Sequence, residues 1–352
     1  MKLNQLETPA LVIQKPAMER NLAHMIALFD GTAMRLRPHY KTIKSPYLAQ
    51  IQLAAGAKGI TCAKLSEAED LCDAGVRDVL ISNQIVQPAK IEKLAVLASK
   101  CDLTVCVDNA DNIAALSKAA ASYGSFINCY VELDVGMGRC GVSTFEDFYA
   151  LAKQLTESPG LNYGGIQAYA GNLAHEYDLE KRTRMVRENE DRLRALIAYL
   201  REHGIETENV SGGSTGTAFL KARDTVYTEI QAGSFMFMDV AYAGTKVGFE
   251  NALFVAATVV SAASDRFILD CGVKTVSPDQ GPPVVVGYES LPVKMSEEHI
   301  SVYGAHDLKI GDMVMVIPGH CCATVNLFDW YVLASGDTVV GRTPVVSRGK
   351  SR

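Results

Sequence analysis

The feature that most constrains the fold is a regular alternation of short apolar strands and helical stretches that begins at Met34. Eight strand patterns follow one another, each separated from the next by a helical stretch, at residues 34–36, 59–63, 78–83, 102–107, 128–135, 163–169, 208–211 and 226–231. Apolar strands alternating with helices are typical of a parallel sheet buried on both faces. Eight such units predict an α/β chain with a closed (β/α)8 barrel of the TIM type. An open doubly wound sheet has the same periodicity and stays open as an alternative.

A second pattern begins after residue 244, where short β-rich runs are separated by turn residues. The runs lie at 253–262, 267–269, 283–286, 300–302, 313–317, 324–325, 330–334 and 338–340. They predict a C-terminal all-β domain. The strand pattern at 8–13 precedes the barrel, and we expect it to pair with that domain. The predicted division is therefore a barrel at 14–244 and a β domain made of 1–13 and 245–352.

Composition and charge exclude several classes of protein. The chain has 352 residues, of which 48% are apolar and 21% charged, as in a globular protein with a large core. The net charge of -6 and a single basic cluster at 348–352 argue against a nucleic-acid partner. No apolar run approaches the roughly 20 residues of a membrane helix. The N-terminus lacks the apolar region of a signal peptide, and nine scattered cysteines indicate reduced thiols, so we expect a cytoplasmic protein.

The segment 37–44 (RPHYKTIK) lies between the first barrel strand and a helical pattern that begins at Ser45. Active sites of such barrels are built at this carboxyl edge of the strands. A lysine withdrawn from water there loses its proton more easily and becomes an amine nucleophile. Lys41, with His39 beside it, is therefore a candidate catalytic residue. The alternative is a basic loop on the surface.

Two glycine-rich turns, at 211–217 and 231–234, follow the seventh and eighth strands. In (β/α)8 barrels the loops after these strands often bind a phosphate group. Glycine lets the backbone approach an anion closely, and amide N–H groups at a helix start point toward it. The two turns together predict a phosphate site.

Two further side chains lie on loops at the same edge. Arg139 follows the fifth strand, and its guanidinium could hold a phenolate or a carboxylate in a fixed geometry; the alternative is a surface pair with Asp134. His175 follows the sixth strand and could either move protons or simply begin the next helix.

The segment 318–322 (PGHCC) in the β domain carries a possible metal site. On an extended chain, residues two apart face the same way, so His320 and Cys322 could touch one ion. Imidazole and thiolate together suit zinc, and two protein ligands leave positions open for water or substrate. The alternative is a buried histidine beside two core cysteines.

Several of these motifs occur in one order along the chain: 37–42 (RPHYKT), 132–136 (ELDVG), 139–142 (RCGV), 231–239 (QAGSFMFMD), 297–299 (EEH) and His320-x-Cys322. In this the chain resembles, over nearly its whole length, the D-threonine aldolase and D-serine dehydratase family. The resemblance implies pyridoxal 5'-phosphate on an alanine-racemase-like barrel (fold type III). It also implies a divalent metal, zinc or manganese, in the β domain, and a homodimer.

The resemblance also assigns residue roles. Lys41 matches the lysine that carries the cofactor, Arg139 the residue that meets its ring hydroxyl, and Tyr169 a residue near its pyridine nitrogen. His175 matches a catalytic histidine near the substrate hydroxyl. The remaining matches are the phosphate cradle and the metal pair: Ser214, Thr215, Gly233 and Ser234; His320 and Cys322. His39, beside Lys41, is a candidate cofactor-binding residue from its position.

The implied activity is a lyase reaction on β-hydroxy-D-amino acids, and we favour aldol cleavage to glycine and an aldehyde. The alternative is a D-serine or 3-hydroxy-D-aspartate dehydratase, which gives a 2-oxo acid and ammonia. Cys322 replaces the Asp of many aldolases and favours zinc and the dehydratase branch, whereas His175 favours the aldolases. Ile43 replaces a histidine that the family often has. An amino-acid racemase and a non-catalytic cofactor-binding protein are further alternatives.

Overall fold

The computed structural model describes residues 1–222 and 224–352, which form two compact units. The barrel unit consists of Ile26–Lys41, Leu48–Gly233 and Lys350–Arg352. The β unit consists of Met1–Met25, Thr42–Tyr47 and Ser234–Gly349.

Up to residue 233 the helices and strands alternate as the periodicity predicts, with a 3₁₀ turn, Ala218–Lys221, between the last two strands. In chain order they are β1 (Ala10–Gln14), α1 (Lys15–Ala27), β2 (Arg35–Leu36), α2 (Pro46–Ala54), β3 (Ile60–Cys62), α3 (Leu65–Asp73), β4 (Asp78–Gln84), α4 (Pro88–Ala98), β5 (Asp102–Val107), α5 (Ala110–Tyr123), β6 (Ile127–Glu132), α6 (Phe145–Glu157), β7 (Leu161–Ala168), α7 (Leu179–Glu202), β8 (Val210–Gly212) and β9 (Glu229–Ile230). The elements that follow are α8 (Val240–Ala243), β10 (Leu253–Ala263), β11 (Arg266–Leu269), β12 (Val284–Val285), β13 (Val293–Met295), β14 (Ile300–Tyr303), β15 (Met313–Ile317), α9 (Cys321–Val325), β16 (Trp330–Ser335) and β17 (Thr338–Pro344).

Eight parallel strands form the sheet of the barrel unit, in the order β2-β9-β8-β7-β6-β5-β4-β3. The two ends of this order also meet: Lys58 N–H donates to Leu36 O (2.8 Å) and Thr61 N–H donates to Pro38 O (2.9 Å). A single parallel bridge joins His39 and Thr61. The predicted closed barrel is therefore confirmed, and the open sheet is wrong.

Side-chain caps fix the helix starts that follow three of the barrel strands. Asn109, Thr144 and Asp178 cap α5, α6 and α7, because each side chain accepts a hydrogen bond from a backbone N–H of the first helical turn. The strands between are apolar and buried; Val79, Leu80 and Ile81 of β4 have no exposed surface. Buried strands and capped helix starts thus hold both ends of the loops at the carboxyl edge.

Buried charges occupy the opposite end of the barrel. The guanidinium of Arg37, which is 2% exposed, donates to Glu229 of β9 (2.9 and 3.0 Å) and to Asp78 of β4. Gly59 leaves room for it, since a Cβ there would lie 2.5 Å from Arg37 Nη1. Lys58 also pairs with Glu229. This charge network ties three strands of the ring together.

The β unit contains β1 in the position expected for it. β1 pairs antiparallel with β10 and parallel with β16, so the predicted pairing of the first strand is confirmed. β13 is missing from the sequence prediction because it is short and its middle residue, Lys294, is exposed. The predicted strand at 324–325 is wrong: these residues lie in α9, whose first N–H, on Cys321, donates to the Asp239 carboxylate (2.8 Å).

Two remaining expectations concern cysteines and membranes. The sulfur atoms of Cys72 and Cys101 are in bonding contact, so the expectation of reduced thiols is wrong for this pair; the other seven cysteines, all within the described residues, form no disulfide. None of the helices within residues 1–222 and 224–352 combines the length and the apolar character that a bilayer crossing needs.

Candidate active site

Lys41 is held by an extension of the first barrel strand. Beyond β2 the backbone continues along β9, because Arg37 N–H donates to Ile230 O (2.9 Å) and His39 N–H donates to Ala232 O (3.0 Å). The chain then enters a 3₁₀ turn, Tyr40–Thr42. His39 Nδ1 accepts a hydrogen bond from the Lys41 N–H (3.3 Å). The pairing ends after His39, and the turn presents Lys41 at the carboxyl edge.

A cavity of about 270 Å³ opens at this edge, near the lower end of the volumes of small-ligand sites. Its wall comes from the ends of several strands and includes His39, Lys41, Ala63, Lys64, Ser82, Asn83, Gln84, Arg139, Cys140, Gln167, Tyr169 and Gln231. Three of these side chains are cationic and none is a carboxylate. The cavity is therefore suited to an anionic ligand.

Tyr169 lies between two of these cations. Lys41 Nζ is 5.8 Å from the centre of its ring, and Arg139 Cζ is 5.4 Å from it. Both distances are within the range of a cation–π contact. The structure thus brings together Lys41, Arg139 and Tyr169, three residues that the sequence assigned to one site.

Arg139 has a different carboxylate partner from the one weighed in the sequence. Its Nη2 lies 3.8 Å from Glu132 Oε1, and the other oxygen of Glu132 accepts from Gln84 Nε2 (2.6 Å). Burial raises the pKa of Glu132, although the Gln84 hydrogen bond and the Arg139 charge oppose the shift. Asp134 instead accepts from the backbone N–H groups of 136–138 and shapes the loop. Arg139 is therefore oriented toward the cavity by Glu132.

The two glycine-rich turns are adjacent, since Gln231 N–H donates to Gly212 O (2.8 Å). In the first turn, Gly213 has a φ of +72°, and a Cβ on Gly216 would lie 2.0 Å from Ala174 O, so both positions require glycine. Ser214 N–H donates to Thr217 Oγ1 (3.0 Å), which holds the turn closed. Ser214 and Thr215 are buried, and Gly233 is half-buried in the second turn.

The structure does not group all the predicted phosphate ligands. Ser214, Thr215 and Gly233 lie in the barrel unit, outside the side chains described as lining the cavity. Ser234 begins a 3₁₀ turn of the β unit, where its Oγ is 3.7 Å from Cys322 Sγ. Their assignment to a phosphate stays a prediction.

His320 and Cys322 meet in the β unit, but for a different reason from the one predicted. The chain is not extended through both residues: His320 caps the N-terminus of α9, and Cys322 is the second residue of that helix. Burial alone would lower the pKa of the His320 imidazole. The hydrogen bonds and charges of Cys322 and Asp279 outweigh burial and raise the pKa to about 9.

The surroundings of this pair are polar. His320 Nδ1 is 2.7 Å from Asp279 Oδ2, and Cys322 Sγ is 3.1 Å from Thr42 Oγ1. Cys321, between them, is buried, and its sulfur is 4.0 Å from that of Cys322. In the part of the chain that the structure describes, no three His, Cys, Asp or Glu side chains are arranged to hold a metal ion.

His175 lies after the 3₁₀ turn Gly171–Leu173 and is half-buried, outside the side chains described as lining the cavity. Sequence reasoning did not single out Lys64, Asn83 or Gln84, although each follows or ends a barrel strand, which is the signal that drew attention to Lys41. Asp279 also escaped notice, because 41 positions separate it from His320.

Comparison with known protein families defines the class first. The model of the alanine racemase N-terminal domain matches residues 13–241, and that of a putative serine dehydratase domain matches residues 252–334. Together with the lysine-bearing cavity at the mouth of a barrel, these matches define an enzyme of the alanine racemase fold.

Individual relatives narrow the class. D-threonine aldolase from Arthrobacter sp. is 41% identical over 99% of this chain and 95% of its own length. The 3-hydroxy-D-aspartate aldolase of Paracoccus denitrificans (strain Pd 1222) is 37% identical over 99% and 94%. The chain therefore belongs to the D-threonine aldolase and D-serine dehydratase family of pyridoxal-phosphate-dependent lyases. The resemblance stated from the sequence is confirmed.

Two solved structures agree with this assignment. The crystal structure of D-threonine aldolase from Filomicrobium marinum superposes with a TM-score of 0.97 at 34% identity, covering 100% of this chain and 98% of that one. A cysteine-to-alanine mutant of D-threo-3-hydroxyaspartate dehydratase, in the metal-free form, gives a TM-score of 0.85 at 28% identity, covering 98% of each chain.

Proposed function

We propose that this protein is an aldolase that cleaves β-hydroxy-D-amino acids such as D-threonine to glycine and an aldehyde. The observation that carries the proposal is Lys41 on the wall of a 270 Å³ cavity, with Arg139 and Tyr169 beside it. The two aldolases compared above are 41% and 37% identical to this chain, whereas the D-threo-3-hydroxyaspartate dehydratase is 28% identical to it. This supports the choice of reaction.

The residues present fit pyridoxal phosphate. A primary amine, a guanidinium and an aromatic face are on one cavity wall that carries no carboxylate, which suits an anionic aromatic aldehyde. Two adjacent glycine turns at the ends of β8 and β9 are the usual phosphate position in such barrels. Lys41 would hold the cofactor covalently, Arg139 its ring hydroxyl, and the turns with Ser214, Thr215, Gly233 and Ser234 its phosphate.

The cofactor, when bound, accepts the electrons of the bond that breaks at Cα. The chain's own residues do the rest. Tyr169 and His39 pack at the cavity wall and fix the site in which the substrate is oriented. We infer that His175 takes the proton of the β-hydroxyl, which allows the Cα–Cβ bond to break. Lys41 Nζ is then the group that returns a proton at Cα.

We infer that His320 and Cys322 hold a divalent metal, zinc or manganese. Their donor set fits zinc best, since imidazole and thiolate prefer a borderline-soft ion. The Asp279 carboxylate against Nδ1 would leave Nε2 of His320 for the metal, as a second-layer carboxylate does in many metal sites. A bound metal lowers the proton affinity of a coordinated hydroxyl. Mutants of the related D-threo-3-hydroxyaspartate dehydratase have alanine at a histidine or at a cysteine two positions later, and the cysteine mutant is described in the metal-free form; the same spacing of His320 and Cys322 supports this pair.

The second candidate is a D-serine or 3-hydroxy-D-aspartate dehydratase. One observation favours it. The proposed metal pair contains Cys322, and the related D-threo-3-hydroxyaspartate dehydratase is described in a metal-free form when one of its cysteines is replaced by alanine. In this reaction Lys41 removes the proton at Cα and the β-hydroxyl leaves instead.

Product analysis tests both candidates. The purified protein, supplied with pyridoxal phosphate and zinc or manganese, is incubated with D-threonine and with D-serine. Acetaldehyde and glycine support the aldolase, whereas 2-oxo acid and ammonia support the dehydratase. Lys41→Ala should abolish both the covalently bound cofactor absorption and turnover, while Lys93→Ala, at an exposed position of α4, should change neither. Turnover that persists after chelation would contradict the metal assignment.

We also infer that the protein is a cytoplasmic homodimer. The family resemblance supports the dimer, and the seven cysteines that form no disulfide support the location. Light scattering of the holoenzyme and cell fractionation test the two points.

A further inference from the structure

One of the three cationic side chains that line the active-site cavity has no role in the proposed function. These side chains belong to Lys41, Lys64 and Arg139. Lys41 holds the cofactor in the proposed function, and Arg139 pairs with Glu132 beside the ring hydroxyl position. Lys64 has neither task.

The backbone at Lys64 is fixed from two sides. The residue lies between β3 and α3, and the buried Glu67 carboxylate accepts from the N–H groups of Ala63 (2.9 Å) and Lys64 (3.3 Å). From the neighbouring strand end, Asn83 Nδ2 donates to Ala63 O (3.1 Å). The half-buried Lys64 side chain therefore starts from a rigid position on the cavity wall.

The ammonium of Lys64 has no counter-ion in the described chain, residues 1–222 and 224–352, where no carboxylate pairs with it. A partly desolvated ammonium gains most from an anionic hydrogen-bond partner. The neighbouring charges cannot supply one, because the cavity wall carries no carboxylate. The missing anion is therefore expected to arrive with the ligand.

The cofactor phosphate is not that anion. In the sheet order, β3 is separated from β9 by β2, and from β8 by two strands, so Lys64 is on a different sector of the edge from the glycine turns. The substrate carries the other anion, its α-carboxylate, which is common to every β-hydroxy amino acid.

We propose that Lys64 binds the α-carboxylate of the substrate. This inference rests on the proposed function in one respect, namely that the ligand is an amino acid. Anchoring the carboxylate fixes the rotation of Cα and therefore which of its bonds faces the cofactor's electron system. Lys64 is thus a substrate-binding residue that also influences which reaction follows.

The test removes the negative charge of the ligand's carboxyl group and, separately, the positive charge of Lys64. D-Alanine and D-alaninamide, which differ in the charge of the carboxyl group, are titrated into the holoenzyme by calorimetry. Lys64→Gln should weaken D-alanine binding roughly 10- to 100-fold, the size of a charge-assisted hydrogen bond, and D-alaninamide binding less than about threefold. Lys64→Arg should restore most of the affinity, and Lys93→Gln should change nothing.

Kinetics give a second measurement. With D-threonine, Lys64→Gln should raise KM by a similar factor and lower kcat far less. Equal losses for D-alanine and D-alaninamide, or no loss for either, would overturn the proposal. If Lys64→Gln does not fold, as judged by thermal unfolding, Lys64→Met and Lys64→Arg replace it. A wild-type enzyme that binds D-alanine through Lys64 but cleaves no β-hydroxy-D-amino acid would refute the proposed function alone.

Discussion

Replacing Arg37 by leucine should destabilise the protein by about 3–5 kcal/mol. Arg37 is 2% exposed, and its removal leaves Glu229, which has no exposed surface, with Lys58 as its remaining cationic partner. Breaking a buried ion pair from one side costs about this much, because the interior carboxylate of Glu229 keeps only the partly exposed Lys58, and Asp78 loses its guanidinium partner. With an unfolding entropy of about 2.1 cal/mol/K per residue, a loss of about 4 kcal/mol lowers Tm by about 5 °C for a chain of 352 residues.

A matched control separates burial from pairing. Arg20 also binds a carboxylate with two hydrogen bonds, both 2.7 Å, to Glu250, but its side chain is 60% exposed. Arg20→Leu should cost far less than Arg37→Leu, because an exposed ion pair is screened by water and contributes little to stability. The double variant Arg37→Leu/Glu229→Leu should be more stable than Arg37→Leu, because the buried carboxylate that lost its guanidinium partner is gone. Urea unfolding followed by circular dichroism measures all four proteins.

The loss in free energy of unfolding caused by Arg37→Leu should also depend on pH. Burial raises the pKa of Glu229, but the charges and hydrogen bonds of Arg37 and Lys58 outweigh it and the net pKa is lowered. A lowered carboxyl pKa stabilises the fold above the unfolded value near 4.5, and this contribution is lost as pH falls through the folded pKa. Arg37→Leu removes the main lowering influence, so its deficit should be larger at pH 7 than at pH 4. A deficit below 1 kcal/mol at pH 7, or one independent of pH, would refute the reasoning.

Two further predictions concern the cofactor and metal sites. Gly216→Ala places a Cβ about 2.0 Å from Ala174 O, so the first turn must shift and bound pyridoxal phosphate should be lost more readily on dialysis. Gly341→Ala, whose Cβ would lie 3.9 Å from the nearest atom, is the control for glycine loss, and equal retention would argue against a phosphate role. Asp279→Asn should weaken zinc binding about 10- to 100-fold by calorimetry. An unchanged zinc affinity would remove Asp279 from the metal site, and Asp265→Asn, at an exposed turn, should leave it unchanged.

The barrel was predictable because its strands repeat one apolar pattern and each is followed by a helix. Lys41 was predictable for the same reason, since the end of a strand marks the functional edge. The identical argument applies to Lys64, which was passed over because no neighbouring residue in the sequence suggested chemistry. The residues at all the strand ends of such a barrel should therefore be considered together as candidates for the active site.

Residues that depend on distant contacts were not predictable. The segment 324–325 has strand-like residues, yet α9 forms because Asp239, far away in sequence, accepts the hydrogen bond of its first N–H. The same limit applies to Asp279, which approaches His320 only through the fold. The sequence suggested Asp134 as the carboxylate partner of Arg139. In the structure the loop conformation turns Asp134 toward backbone N–H groups, and Glu132 is the carboxylate near the guanidinium.

The closing join of the barrel has a consequence for its dynamics. β2 and β3 meet through a single bridge between His39 and Thr61, and Pro38 has no N–H to donate across it. Local opening at this seam would move the lysine two residues further on. A cofactor bound covalently to that lysine would then stabilise the closed seam against local opening. Amide protons around Thr61 should therefore exchange with deuterium more slowly in the holoenzyme than in the cofactor-free protein.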